Sequence, residues 1–292
     1  LWLPAPPPST LETFELANAA YVSADLSGVY SQESPAVLAA ESLAERAAAR
    51  LRTNFPGWQV TTQIGVGSPK RELLRQADEW KPDLIVLGSH GHSALGRLLL
   101  GSVSQGVLNE ARGSVRIARG RVEEPNTPVR IVLGVDGSDA SAAAVREVAS
   151  RNWPAMSEVR IIAVTDPLTT TFLGKLIPPL SRIVEESNQE DREWLNRLLL
   201  SSANEFKNST LKVSTEIAEG DPRRVLVETA EAWGADCIFV GSIGFHNRFE
   251  RFVLGSVSAS VAARAHCSVE VVRRPKNIGG IGHDKQFDYT RN

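Results

Sequence analysis

The sequence has few cysteines, little net charge and no long apolar run. Two cysteines among 292 residues are too few for a disulfide scaffold and indicate a reducing compartment. Lys and Arg (32) nearly balance Asp and Glu (34), which argues against a nucleic-acid-binding surface because phosphate contacts need clustered basic residues. No apolar stretch approaches the roughly 20 residues that span a bilayer. We therefore expect neither nucleic-acid nor membrane partners.

What is present is the composition of a globular protein with more than one domain. The sequence is 42% hydrophobic and 23% charged, which excludes wholesale disorder. Its length favours two domains, because single cores divide as chains approach about 250–300 residues. The chain starts at Leu1, and no signal-peptide pattern follows. This predicts a cytoplasmic protein whose true N-terminus is missing from the sequence.

The chain repeats itself. Gly-Ser-Pro at residues 67–69 recurs as Gly-Asp-Pro at 220–222, 153 residues later, and Gly-Ser-Val-Ser at 101–104 recurs at 255–258, 154 residues later. This regularity indicates a tandem duplication of one domain and not a solenoid, whose repeats are far shorter. We predict domains at residues 1–120 and 128–274 and a flexible polar tail at 275–292. Single residues that match between the copies include Arg71 and Arg224, Trp80 and Trp233, Asp83 and Asp236, and Gly88 and Gly241.

The second copy alternates strands with helices. A continuous apolar run at 129–135 predicts a buried parallel strand, and Ser138 is placed to cap the helix that follows it. Such alternation implies a parallel sheet covered on both faces. Further strands are predicted at 159–164, 211–217, 237–240 and 269–272, and further helices at about 183–206, 222–233 and 256–264.

The first copy lacks the beginning of this pattern. Its third strand is predicted at residues 60–64 and the later elements follow, but the first strand and helix have no counterpart. Residues 1–3 are interpreted as the end of the second strand. We expect a truncated first domain, which is marginal unless the second domain, a partner or residues absent from this sequence complete it. The alternative is that the domain evolved without this unit.

The candidate chemistry lies in a loop that both copies share. In the first copy, Gly88 and Gly91 follow the fourth strand, and Gly101 and Ser102 start the last helix, with Ser104 behind them. Glycines permit close backbone approach to a ligand, and the free N–H groups of a helix start favour phosphate. The alternative is that these glycines only form tight turns. The second copy has Gly241, Gly244, Gly255, Ser256 and Ser258 at the matching positions.

With Val-Asp-Gly-Ser after the first strand, the pattern Gly-x2-Gly-x9-Gly-Ser resembles the universal stress protein family over nearly the whole chain. This resemblance implies a Rossmann-like α/β fold with a parallel sheet of order 3-2-1-4-5 in each domain. It also implies that the two domains pair through their last strands within the chain, and a homodimer is a further expectation.

The resemblance further implies binding of ATP or a related adenine nucleotide, alone or with Mg²⁺. Asp136 would contact ribose or metal-bound phosphate, Ala163 and Val164 would hold adenine through their backbone, and the glycines and serines would cradle ribose and phosphates. Asp136 could equally organise only the local turn. The first copy lacks this aspartate, which favours the second copy as the competent site.

Several residues near the loops receive structural interpretations. The second loop is one residue longer, and its Phe245 and His246 could clash with a triphosphate while Arg248 could pair with one. His90 and His92 lack a completing ligand set and are interpreted as solvent-facing. Cys237 is expected in the core and Cys267 partly exposed, while Trp80 and Trp233 are expected to fill helix-to-strand corners. The apolar segment 172–180 is either a flap or an ordinary packed crossover.

Three classes of function remain. The first is an ATP-binding stress-response protein with at most slow hydrolysis, and the second is a dimerisation or interaction module with an empty pocket. An enzyme ranks last, because the Walker motif Gly-x4-Gly-Lys-[Ser/Thr] is absent. No His or carboxylate pair is positioned by the sequence as a general base either.

Overall fold

The computed structural model describes residues 35–89, 100–120, 127–165, 181–242 and 254–273. Within these ranges it contains seven strands and seven helices. The strands are β1 (Leu84–Gly88), β2 (Ser114–Ala118), β3 (Arg130–Val135), β4 (Glu158–Thr165), β5 (Lys212–Glu219), β6 (Cys237–Gly241) and β7 (Ser268–Val272). The helices are α1 (Pro35–Asn54), α2 (Pro69–Trp80), α3 (Ser102–Glu110), α4 (Asp139–Ser150), α5 (Ser181–Asn204), α6 (Pro222–Trp233) and α7 (Ser256–Arg264).

All seven strands belong to one sheet in the order β1-β2-β7-β6-β3-β4-β5. In the second half of the chain, β5, β4, β3, β6 and β7 are parallel neighbours. Numbered within that half, this is the order 3-2-1-4-5, so the predicted Rossmann-like α/β fold is confirmed, with its strand order complete in the second half. The strands β2 and β7 pair antiparallel and join the two halves into one sheet.

Apolar side chains cover both faces of the sheet. On one face, Val145 and Val148 of α4 and Leu198 of α5 pack on β3 and β4. On the other face, Leu226 of α6 and Val261 of α7 belong to a second core cluster. The strands β6 and β7 are almost wholly buried, as expected for parallel strands with helices on both sides.

The helix boundaries follow the capping residues in the sequence. The Ser138 hydroxyl accepts a hydrogen bond from the Ser141 N–H and begins α4, and the Asp221 carboxylate accepts one from the Arg223 N–H and begins α6. Helix α6 ends at Gly234 in the left-handed conformation. No helix in the described parts of the chain is both long and apolar enough to cross a bilayer.

The strand expected at residues 60–64 does not form, so that prediction is wrong. Its counterpart in the second half, β5, is held by hydrogen bonds to β4, and the described part of the first half contains no counterpart of β4. The segment is instead tied to α1, because Arg52 Nη2 donates to the Val60 C=O at 2.9 Å and the Thr62 hydroxyl donates to Glu45 at 2.6 Å.

The prediction that Trp80 fills a corner is also wrong, since its side chain is 80% exposed. Trp233 is half-buried, and the guanidinium groups of Arg160 and Arg130 lie 4.4 and 6.0 Å from its ring centroid. Those arginines come from β4 and β3, which have no counterpart among the described residues of the first half. The same difference leaves β1 as a half-buried edge strand.

Candidate functional site

In the second half, the loop after β6 is closed at its base by three hydrogen bonds. The Gly255 N–H donates to the Ser242 C=O at 2.6 Å. The buried Ser258 hydroxyl donates to the Gly241 C=O at 2.8 Å and to the Ser242 C=O at 3.2 Å. Ser258 therefore holds the end of β6 against the start of α7. Its role toward a ligand stays a prediction, and its hydroxyl proton is donated to these two carbonyl groups.

The first half repeats this loop base. The Gly101 N–H donates to the Ser89 C=O at 2.9 Å, and the Ser104 hydroxyl donates to the Gly88 C=O at 2.7 Å. The repeated sequence therefore forms the same contacts in both halves. In each, the second serine of Gly-Ser-Val-Ser hydrogen-bonds the following helix to the preceding strand.

Both helices after these loops begin without a side-chain cap. Gly255 before α7 has φ −64° and ψ 151°, and Gly101 before α3 has φ −62° and ψ 150°, with no side-chain hydrogen bond at either cap. Ser256 and Ser102, the first residues of the two helices, are exposed. The N–H groups of an uncapped first turn and the helix dipole suit an anion.

Asp136 lies at the carboxyl end of β3 and organises a turn. Its Oδ1 accepts hydrogen bonds from the Ser138 N–H at 3.0 Å and from the Ser138 hydroxyl at 2.6 Å. Gly137 has a φ of +77°, and a Cβ there would lie 2.7 Å from the Trp194 ring of α5. Asp136 itself is exposed. The turn interpretation therefore holds, and the carboxylate remains accessible to a ligand.

The strand β4 extends beyond its neighbour β3. The last paired residues are Val135 and Ala163, whereas on the other side β4 stays paired with β5 through Thr165. The Thr165 C=O accepts from the Gly220 N–H on the β5 side. Because successive strand residues turn their backbone groups to opposite sides, the Val164 C=O is directed toward the β3 side, past the end of β3. Ala163 is fully buried.

These groups meet at the carboxyl edge of three adjacent strands. The strand β3 lies between β4 and β6, so Asp136 stands between Val164 on one side and the loop base at Gly241 on the other. In an open α/β sheet this is the switch point of strand order, where ligands bind. The first half has the loop base, but its described residues supply no equivalent of Asp136 or Val164.

Both halves of the sequence match the model of one known family. The model of the universal stress protein family matches residues 13–119 and 129–273, one match for each half of the repeat.

The chain belongs to the universal stress protein family.

One curated relative and two solved structures are similar to this chain. A universal stress protein from Mycolicibacterium smegmatis is 32% identical over 222 residues, which are 74% of this chain and 70% of that protein. The crystal structure of a universal stress protein from Archaeoglobus fulgidus matches 82% of this chain and 77% of its own, with 24% identity and a TM-score of 0.51. A universal stress protein crystallised in complex with cAMP matches 50% of this chain and 97% of its own, with 25% identity and a TM-score of 0.34.

Burial raises the pKa of both thiols of this universal stress protein. Cys237 is completely buried in β6, and burial raises its pKa to about 12. Cys267 is half-buried, and burial likewise raises its pKa to about 12. Both agree with the structural interpretation of the cysteines. Among the described residues, no three His, Cys, Asp or Glu side chains cluster as a metal site would require.

Sequence reasoning missed two parts of this site. Trp194, which lies under the turn at Gly137, belongs to a long amphipathic helix and carries no local signal of its position. Ser242, whose carbonyl closes the loop base, is likewise defined only by the partner it meets in space. The predicted residues Gly91 and Gly244 lie outside the described residues, as do His90, His92, Phe245, His246, Arg248 and the segment 172–180.

Proposed function

We propose that this universal stress protein binds ATP in the second half of the chain, at the carboxyl edge of β3, β4 and β6. The observation that carries the proposal is the uncapped start of α7 at the same edge of the sheet as an exposed Asp136. These two features supply amide donors for phosphate and a carboxylate for ribose or for a phosphate-bound Mg²⁺.

The residues present fit an adenine nucleotide at three points. The backbone N–H groups of Ser256 and Ser258 would donate hydrogen bonds to phosphate, with the exposed Ser256 hydroxyl as a further donor. The Val164 C=O, past the end of β3, suits the amino group of adenine. Asp136 keeps Oδ1 in its turn, so its other oxygen is the one offered to ribose or to Mg²⁺.

We propose that the nucleotide is a regulatory ligand, with hydrolysis slow at most. The support for this is that the sequence positions no general base. In this proposal, nucleotide occupancy of the second half is the signal that the protein carries in the stress response. In this proposal the first half pairs with the second half through β2 and β7 and does not form a second nucleotide site.

The experiment is calorimetric titration of ATP, with and without Mg²⁺, into the full chain and two matched variants. Gly255→Val places a branched side chain at the start of α7, and Gly101→Val makes the same change at the same backbone conformation in the first half. We expect one ATP per chain, loss of binding in Gly255→Val and unchanged binding in Gly101→Val. Competition by cAMP tests whether the pocket needs the triphosphate.

Other results would contradict the proposal. Unchanged affinity in Gly255→Val would remove the site from the second half, and loss of binding in Gly101→Val alone would move it to the first. No binding by the unaltered chain would favour the alternative, an interaction module that works through dimerisation without a nucleotide.

A further inference from the structure

The strands β2 and β7 pair with local twofold symmetry. The register joins Val115 to Val271, Arg116 to Glu270 and Ile117 to Val269. At the repeat offset of 154 residues, Arg116 is the counterpart of Glu270. The central position thus faces its own counterpart, and a local twofold axis passes between the two residues.

Contacts at both ends of the strand pair obey this symmetry. The Ser114 hydroxyl accepts from the Arg273 N–H at 3.1 Å, and the Ser268 hydroxyl accepts from the Arg119 N–H at 3.1 Å. Ser114 and Ser268 are counterparts, and so are Arg119 and Arg273. If either half paired with a copy of itself, equivalent contacts would form. They therefore cannot distinguish the correct partner from a second copy of the same edge.

The axis position breaks the symmetry by charge. Arg116 is 2% exposed and Glu270 is 0% exposed, and Arg116 Nε lies 3.5 Å from Glu270 Oε2. In a self-pairing of β2, two buried guanidinium groups would meet at the axis, and in a self-pairing of β7, two buried carboxylates would meet. Burying two like charges beside each other is unfavourable, because neither charge compensates the other.

The neighbouring charges make this discrimination unequal. Glu270 also accepts hydrogen bonds from both terminal nitrogens of Arg151, which in turn binds Glu147 at 2.7 Å. Arg116 has Glu270 as its acidic partner among the described residues, and its Nε and Nη2 donate no hydrogen bond there. A β7 edge facing a copy of itself would retain an arginine for each carboxylate. A β2 edge facing a copy of itself would have no such compensation.

We propose that Arg116 and Glu270 form a selectivity pair, which directs the β2 edge to the β7 edge and rejects a second copy of the same edge. The partner that each edge fits is the other half of the repeat. A homodimer of this chain would then have to use a surface other than these two strands. The proposal does not depend on nucleotide binding.

The first test mixes two charge-reversed full chains that carry different tags. In the Arg116→Glu chain, two carboxylates face each other across the local twofold axis. In the Glu270→Arg chain, two guanidinium groups face each other there. In the mixture, each reversed edge finds an opposite charge only on the other chain. We expect co-expressed chains to form oligomers with equal amounts of both variants, so that the mass from light scattering shifts from one chain to two or more. If the co-expressed chains had the same masses as each variant expressed alone, the proposal would be overturned.

The second test uses the folded single chain. It measures, from thermal midpoints, whether residues 116 and 270 stabilise or destabilise each other. We expect Arg116→Glu to lower the thermal midpoint more than the neutral Arg116→Met. Glu270→Gln should lower the midpoint of the unaltered chain but raise that of the Arg116→Glu variant, because it removes one of two facing carboxylates. A purely structural role would make Glu270→Gln destabilising in both backgrounds, and that result would also overturn the proposal.

Discussion

A Cβ atom on Gly241 would lie 2.6 Å from the carbonyl carbon of Ala140 and 2.6 Å from the Ser141 nitrogen. The last residue of β6 therefore lies directly against the first turn of α4. This contact accounts for the glycine without any ligand, although the same glycine stands in the loop motif. It also places the loop base against the first turn of α4, the helix that follows the turn at Asp136.

Replacing Gly241 tests this contact. Gly241→Ala should destabilise the protein by about 1–3 kcal/mol, because the added methyl group meets backbone atoms that cannot move aside without shifting α4. Urea unfolding followed by circular dichroism measures the change. The matched control is Gly57→Ala, whose added Cβ has no atom within 4 Å. An equal effect of the two substitutions would show that the close approach to α4 is not what requires a glycine.

The turn role and the ligand role of Asp136 can be separated by two substitutions. Asp136→Asn keeps an oxygen that accepts from Ser138, whereas Asp136→Ala removes it. We expect Asp136→Ala to lose about 1 kcal/mol of unfolding free energy and Asp136→Asn to lose less than about 0.5 kcal/mol. Both should weaken binding of ATP with Mg²⁺, because both remove the charge. Full ATP affinity in Asp136→Asn would leave the residue a turn former only.

Local sequence signals predicted the second half of the fold well. The apolar runs of β3 and β4, the Ser138 cap and the helix at 222–233 are encoded within a few residues of where they act. The family pattern supplied the strand order. The truncation of the first domain, which rests on a repeat unit without a counterpart in the first copy, stays a prediction.

What failed depended on partners distant in the chain. Residues 60–64 have the composition of a strand, but a strand requires a neighbour, and the described first half has no counterpart of β4 to supply one. Trp80 matches Trp233 in sequence, yet Trp233 is covered by Arg130 and Arg160 from strands that have no such counterpart. In the site, Trp194 and Ser242 are defined by what they meet in space, which a local pattern does not contain.

The two equivalent tryptophans should respond differently to substitution. Trp80→Phe should change the unfolding free energy by less than about 0.5 kcal/mol, because the side chain is largely exposed. Trp233→Phe should cost about 1 kcal/mol, through lost contact with the core and with two guanidinium groups. Acrylamide quenching of the fluorescence gives an independent measure, since Trp80→Phe should remove a readily quenched component and Trp233→Phe a less accessible one. Equal effects of both substitutions would mean that Trp80 is covered in solution.

The buried thiol of Cys237 predicts how stability depends on alkaline pH. Burial raises its pKa from 9.0 to about 12, so the folded state keeps a proton that the unfolded state releases above about pH 9. The stabilisation is therefore complete below pH 9 and is lost progressively as the pH rises toward 12. Its size is on the order of 1 kcal/mol for each pH unit in this window.

Comparison with Cys237→Ala isolates this contribution from the lysines and tyrosines that titrate in the same range. At pH 7.5 the unaltered chain should be more stable than the variant, because the sulfur fills space in the core. Between pH 9 and 10.5, in the presence of a reductant, that difference should shrink, because only the unaltered chain has the Cys237 thiol, whose ionised form favours the unfolded state. Cys267, whose pKa is also raised, is present in both chains, so its contribution cancels in the comparison. Urea unfolding at several pH values measures the difference. If it stayed constant across this range, Cys237 would already be able to ionise in the folded protein, and β6 would be more open to solvent than its complete burial indicates.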